Sequence, residues 1–303
     1  MCIGLVTTVK VDGKKYTVIL DQRDGDIAAK DLPFQSLGLL HDKYAAERRA
    51  KNLPEYSSDV HGLFSDSPYA NGQFVIGEGR AAILADYRLH ADDPRRKSGL
   101  HWSQTRGASA EKFVRSGDIT TEYGATEHPH MMIYVDQNGD TFNYEFDGGC
   151  RSTAKFICPS MNVVQTCGSF CENFRSSLLC RLTRSVLADW DGKAPCADLV
   201  RILIHKVLGN TEKPSSTDKL LDLGKDFAYE SHVESIRIPP SVSWIDPTKT
   251  IGWMTVASVA CVVDHSAHSV FVASRHYSKP KSADDVEMCL KNEDRIQICE
   301  FPW

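Results

Sequence analysis

No stretch of the chain comes near the roughly 18 consecutive apolar residues that a membrane-spanning helix needs, so no such span is expected. The N-terminus, MCIGLVTTVKVDGKK, lacks the basic-then-apolar order and small-residue cleavage site of a secretory signal. A basic excess is missing too. The formal net charge is −5, which removes the electrostatic footprint of a nucleic-acid partner. Also absent are the Gly-x-Ser-x-Gly elbow of serine hydrolases and any complete phosphate loop, since Gly77-Glu78-Gly79 ends after two glycines.

Cysteine is not scarce, with ten residues from Cys2 to Cys299. Without a secretory signal, a cytoplasmic, reducing setting is expected, where free thiols are the default. Cys167 and Cys171 form one C-x3-C pair, at best half of a zinc site, and His128 and His130 lack a third ligand. His265 and His268 fall in an expected turn and are assigned to solvent. The stretch from Asp136 starts like a calcium loop, but its sixth position is Thr141 where that loop requires glycine. The residues therefore call for no metal and no cofactor.

With 303 residues, 42% of them hydrophobic, the chain can bury a large core. We read it as one domain over 1–303. Strands come first: residues 2–9 and 15–20 around Asp12-Gly13, then 74–76 and 81–84 around Gly77-Glu78-Gly79. A helix is expected near 42–51 and a short one at 110–116. Asn138-Gly139 predicts a type I′ hairpin between 131–135 and 141–146. Residues 156–166 read as a strand broken at Pro159. A helical layer covers 172–208, where Phe174, Leu178, Leu179, Leu182, Val186 and Leu187 recur at helical spacing and Leu199, Ile202, Leu203 and Val207 share a second face. A closing hairpin joins 256–263 to 270–273, and the tail at 278–303 is charged and less patterned. Strands, then helices, then strands is not the alternation of a parallel doubly wound fold; it suits an α+β arrangement of antiparallel sheets covered by helices.

Cys2 carries the chemistry of interest. An aminopeptidase removes Met1 when the second residue is small, leaving a thiol and a free α-amine on one residue. The amine, with an ordinary pKa of about 7.7–8.0, can take the thiol's proton, so one residue supplies nucleophile and base. By itself Cys2 reads better as a small hydrophobe starting a strand. The second strand, however, runs into Asp21-Gln22-Arg23-Asp24-Gly25-Asp26, and the hairpin brings that end beside Cys2. Arg23 can lower the thiol pKa and hold a carbonyl oxygen. Asp24 or Asp26 can accept from the α-ammonium or orient the arginine. Taken alone, the cluster reads as a charged surface turn.

Cys2 followed after a hairpin by this Arg-Asp cluster resembles the cysteine N-terminal-nucleophile hydrolases. Arg23 and Asp26 match the Arg-x-x-Asp of choloylglycine hydrolases and penicillin V acylases; Arg23 and Asp24 match part of the NRDE-domain signature. His130 to Asp140, and Thr255 to Val259 with Asp264 and Phe271 to Ala273, resemble acyl-coenzyme A:6-aminopenicillanic acid acyltransferases. Gly72 to Gly77 and Arg80 to Arg88 look more NRDE-like. The resemblance implies an αββα sandwich with Cys2 ending a central strand, and an enzyme acting on amide or thioester acyl bonds of a small molecule. It also implies site positions at Asp86 and Cys167, where the family places asparagines, with Thr166 and Arg88 as neighbouring substrate contacts. An ionised aspartate at 86 only accepts hydrogen bonds and opposes an oxyanion. The alternatives are a non-catalytic NRDE-like carrier of haem or lipid, linked to Golgi organisation, or the same fold turned to intramolecular acyl transfer or cyclisation. Self-association is left open.

Overall fold

The computed structural model describes residues 3–26, 32–50, 57–64, 66, 74–86, 113–117, 130–146, 151–156, 161–165, 174–212, 235–238, 241–246, 249–281, 285 and 295–303. Two antiparallel sheets of seven strands each make up its centre. The first contains β1 (Ile3–Val11), β2 (Lys14–Asp26), β10 (Asn162–Gln165), β11 (Ser241–Asp246), β12 (Lys249–Asp264), β13 (Ser269–His276) and β14 (Ile296–Pro302). Its order is β10-β1-β2-β12-β13-β14, with β11 paired to the free part of β12. The second is a meander of β3 (Gln35–Ser36), β4 (Val60–Leu63), β5 (Phe74–Gly77), β6 (Arg80–Asp86), β7 (His130–Val135), β8 (Thr141–Phe146) and β9 (Arg151–Phe156).

Two of the hairpins follow from turn chemistry. Asp12 and Gly13 have φ of 49° and 78°, Glu78 and Gly79 50° and 73°, the paired positive values of a type I′ turn. The hairpin at Asn138-Gly139 departs from that expectation. Its loop spans 136–140, only Gly139 has positive φ (72°), and Asp136 Oδ1 accepts from the N–H groups of Asn138 and Asp140 at 2.9 Å each. The aspartate side chain caps a longer loop in place of the tight turn.

Strands of the first sheet are buried on both faces, so strict alternation decides which layer each side chain enters. Ile3, Leu5, Val18, Leu20, Ala260 and Val262 pack against α2 (Phe174–Asp189) and α3 (Cys196–Ile202). Val6, Ile19, Val259, Cys261 and Val263 face the other way and meet Phe74, Ile76, Ile83, Ile133 and Val135 of the second sheet. That sheet's outer face, with Val60, Val75, Ala82, Met132 and Tyr134, is covered by Leu37 and Leu40 of a 3₁₀ turn, by Tyr44 of α1 (His41–Ala50), and by Phe113 and Val114. The layers are helix, sheet, sheet, helix, the α+β sandwich read from the sequence.

Several details differ from the sequence reading. β2 continues through Asp26, so the Asp-Arg cluster is strand and not a surface turn; Asp21, Gln22 and Asp24 are buried. The broken strand at 156–166 resolves into the end of β9 and a separate β10. In α3, Ile202 is 38% exposed while Val200 and Ile204 are buried, because Ile202 lies round the helix from Leu199 and Leu203. The backbone then widens into a π-helical turn over Leu203–Leu208. In the tail, β14 completes the sheet edge against β13. His265 is half-buried, its Nε2 2.8 Å from Thr17 Oγ1, whereas His268 is exposed as expected.

Candidate active site

Three chain segments converge at one end of the first sheet. In the β1–β2 register Ile3 lies opposite Gln22 and Gly4 opposite Asp21. On the other side of β1, Ile3 lies opposite Gln165, the last residue of β10. Thus the residues that adjoin Cys2, Arg23 and Thr166 in sequence sit side by side across three strands. Cys2, Arg88, Thr166 and Cys167 themselves lie outside the described residues. Asp26 is opposite Trp253 at the end of β2, and Asp86 opposite His130 at the end of β6; only their backbone positions are described.

Alternation along β2 divides the Arg-Asp cluster between the two faces, and a bulge in β12 between Thr255 and Ala257 sets its partners there. Asp24 is opposite Thr255 and Arg23 opposite Ala257, with Val256 extra. Ala257 belongs to the inter-sheet core, so half-buried Arg23 shares that face. Asp24 takes the helix face instead. Its Oδ2 accepts from Arg175 of α2 at 2.7 Å and its Oδ1 from the Thr255 hydroxyl at 2.7 Å. Thr255 Oγ1 in turn accepts from Gln22 Nε2 at 3.0 Å and from the Ile238 N–H at 2.8 Å, which uses the hydroxyl's one donor and both acceptor positions. The Ile236 carbonyl accepts from Arg175 at 2.8 Å and also from Gln22. Asp24 and Arg175 have side-chain exposures of 0% and 2%. Asp24, expected to touch substrate, is thus placed in a network that fixes α2 to the sheet. The network was not anticipated: an arginine next to Phe174 at the start of an apolar stripe carries no mark of burial in the sequence.

Asp21 was not singled out either, and it faces the inter-sheet layer together with Arg23. Neither carboxyl oxygen has a partner in good hydrogen-bond geometry, the adjacent Gln22 N–H included. Burial pushes this carboxyl up to about 8; the Arg23 charge opposes the rise, Asp24 adds to it, and the Gln22 N–H offsets a little. Gly4 makes the close approach of the sheets possible here. A Cβ on it would stand 2.7 Å from Ile83 Cγ2 and 3.3 Å from Asp21 Oδ1.

The remaining histidine and thiol groups lie elsewhere. His265 is at the opposite end of β2, where Tyr16 pairs with Asp264. Burial chiefly, and then Lys15, lowers its pKa to about 4, with Asp264 opposing. Cys180, Cys196, Cys261 and Cys299 are free thiols. Burial raises the last three, Cys196 to about 11. Among the described residues no helix is long and apolar enough to cross a membrane, and no group of three or more His, Cys, Asp or Glu is placed to hold a metal ion.

No protein-family model matches the chain, and no curated protein matches it. Among solved structures it is similar to a penicillin V acylase from Agrobacterium tumefaciens, at 13% identity and a TM-score of 0.38, over 89% of this chain and 82% of that one. It is also similar to the C2A mutant of the conjugated bile acid hydrolase from Clostridium perfringens, at 10% identity and a TM-score of 0.35, over 99% and 97% of the two chains.

Proposed function

We propose that this chain is a cysteine-nucleophile acyl-transfer enzyme that cleaves or transfers an acyl group at an amide or thioester through an acyl-Cys2 intermediate. The observation that supports this best is the β1–β2 register. Ile3 lies opposite Gln22, and the peptide link puts the Cys2 Cα only about 3.8 Å from that of Ile3. Arg23 follows Gln22 on that strand and is half-buried on the inter-sheet face, where low dielectric strengthens its charge; in the proposed reaction it works with Cys2.

With Met1 removed, the α-amine accepts the Cys2 thiol proton. The thiolate sulfur attacks the carbonyl carbon, and the C=O electron pair moves onto oxygen, where Arg23 offers a charged hydrogen-bond donor. Collapse re-forms the carbonyl and breaks the bond to the leaving amine or thiol, which takes the proton from the α-ammonium. Water or a second amine then gives a proton to the α-amine and attacks the thioester, releasing the acyl product and the thiolate. The thiolate recovers its proton from the α-ammonium.

The Met1-free protein should hydrolyse p-nitrophenyl acyl esters with a burst of one p-nitrophenolate per chain. Cys2→Ala should abolish the burst, and Arg23→Gln should lower kcat/KM by roughly 10²–10³, the usual range for one lost oxyanion donor. A burst that persists in Cys2→Ala would refute the proposal.

A further inference from the structure

The residues on either side of Arg23 in sequence end on one and the same atom. Thr255 Oγ1 accepts from Gln22 Nε2 at 3.0 Å and donates to Asp24 Oδ1 at 2.7 Å. This single buried hydroxyl therefore closes a bridge behind Arg23, on the helix face of β2, while the pleat turns Arg23 to the other face. The far ends of the bridge are held too. Arg175 donates to Asp24 Oδ2, and the Ile236 carbonyl accepts from both Arg175 and Gln22.

The bridge exists because β12 is bulged. With Ala257 opposite Arg23, a regular ladder would put Val256 opposite Asp24, and valine has no hydroxyl. The bulge puts Thr255 there instead, the kind of re-aiming for which bulges are used. Contacts outside the ladder hold the bulge in place. Thr255 N–H donates to the Ile238 carbonyl and Tyr277 N–H to the Val256 carbonyl, each at 3.0 Å, and Val256 is buried with Met254 and Tyr277. Opposite Arg23 itself β12 brings only the methyl of Ala257, so its side-chain hold on this stretch of β2 is made from behind.

We propose that Thr255 is a positioning residue for Arg23: by tying Gln22 to Asp24 it fixes the course of β2 at Arg23, and so where the guanidinium meets the oxyanion. The inference rests on the acyl-transfer reading and adds to it the group that aims its donor. Misplacing such a donor by about 1 Å costs up to roughly 10²-fold in rate.

The test uses Thr255→Val, which keeps the shape and removes the hydroxyl, and Thr255→Ser, which keeps the hydroxyl. The Met1-free protein is mixed with p-nitrophenyl acetate; the acetyl group passes to the Cys2 sulfur, p-nitrophenolate leaves, and the burst amplitude counts working sites. Acylation and deacylation both pass through an oxyanion. Thr255→Val should therefore slow the burst and the steady rate together, roughly 10- to 100-fold, with the amplitude still near one per chain. A loss of folded protein would do the reverse, lowering the amplitude and sparing the rate constants. Thr255→Ser should recover most of the rate. In an Arg23→Gln background, adding Thr255→Val should change the rates less than about twofold, since there is no guanidinium left to aim. Gln22→Met cuts the same bridge at its other end; it should repeat the pattern, and it decides the matter if Thr255→Val does not fold. Unchanged rates, a fall carried by the amplitude alone, or equal slowing with and without Arg23 would overturn the role of Thr255. A wild type without a burst, or a burst that survives Cys2→Ala, would instead remove the acyl-transfer reading, and this inference with it.

Discussion

At the scale of the residue, the protein separates its thiols by environment. Burial raises Cys196, Cys261 and Cys299, leaving them mostly protonated and slow at neutral pH. On the proposed function, a Cys2 thiol with an α-amine on the same residue should behave oppositely. Limiting iodoacetamide at pH 7 is expected to modify Cys2 at least tenfold faster than those three, as read by peptide mass; unselective labelling of the folded protein would contradict it. His265 gives a second residue-level expectation. Its folded pKa, about 4, lies below the ordinary 6.5, so the unfolded chain takes up this proton first as pH falls. The stabilising effect of keeping His265 neutral is therefore lost from about pH 6.5 downward and exhausted near 4. Denaturant midpoints measured across that window should drop less in His265→Asn than in wild type. Asp21 has the reverse sign. Its folded pKa is raised, so the unfolded chain loses the proton first, and its contribution declines as pH rises from about 4 to 8.

At the scale of the element, two contacts hold the site's strands in place. One is the buried Asp24–Arg175 pair between β2 and α2, completed by Thr255, Gln22 and the Ile236 carbonyl. Removing one partner of such a pair strands a charge, so Arg175→Met should cost about 3–5 kcal/mol by urea unfolding, and adding Asp24→Leu should recover much of it. Additive losses in the double variant would show that the pair is not coupled. The other contact is Gly4 against Ile83. Gly4→Val should cost about 1–3 kcal/mol by overpacking the gap between the sheets. What the sequence discloses at this scale follows the same physics. The Asp12-Gly13 and Glu78-Gly79 turns are written in local dihedral preference and were legible. So were the apolar stripes of α2 and the closing hairpin. β14 was not, because an edge strand with alternating partial exposure resembles a charged tail until its partner β13 is known. The layer that each face of β2 meets was also hidden, since both faces are buried and their partners, α2 and the second sheet, are remote in sequence.

At the scale of the whole molecule, two antiparallel sheets share one inter-sheet core, and each carries a helical layer on its outer face. The order of strands, helices and strands disclosed antiparallel sheets covered by helices, and the four-layer stacking was implied by the family resemblance. Of the candidate site, the N-terminal hairpin that brings the strand of Arg23 beside the start of β1 was legible. Asp24 turned to the helix layer because the pleat of a strand sends neighbouring residues to opposite faces. Arg175 and Asp21 were beyond reach, since burial of a charged residue is a tertiary fact. The proposed function stands on transfer of an acyl group to Cys2. Its most direct measurement is peptide mass mapping after brief exposure of the Met1-free protein to p-nitrophenyl acetate at pH 7, followed by acid quench. The account predicts one acetyl group on the Cys2 sulfur, removable by hydroxylamine and absent in Cys2→Ala. An acetyl group found elsewhere in place of Cys2, or none at all in folded protein, would contradict it.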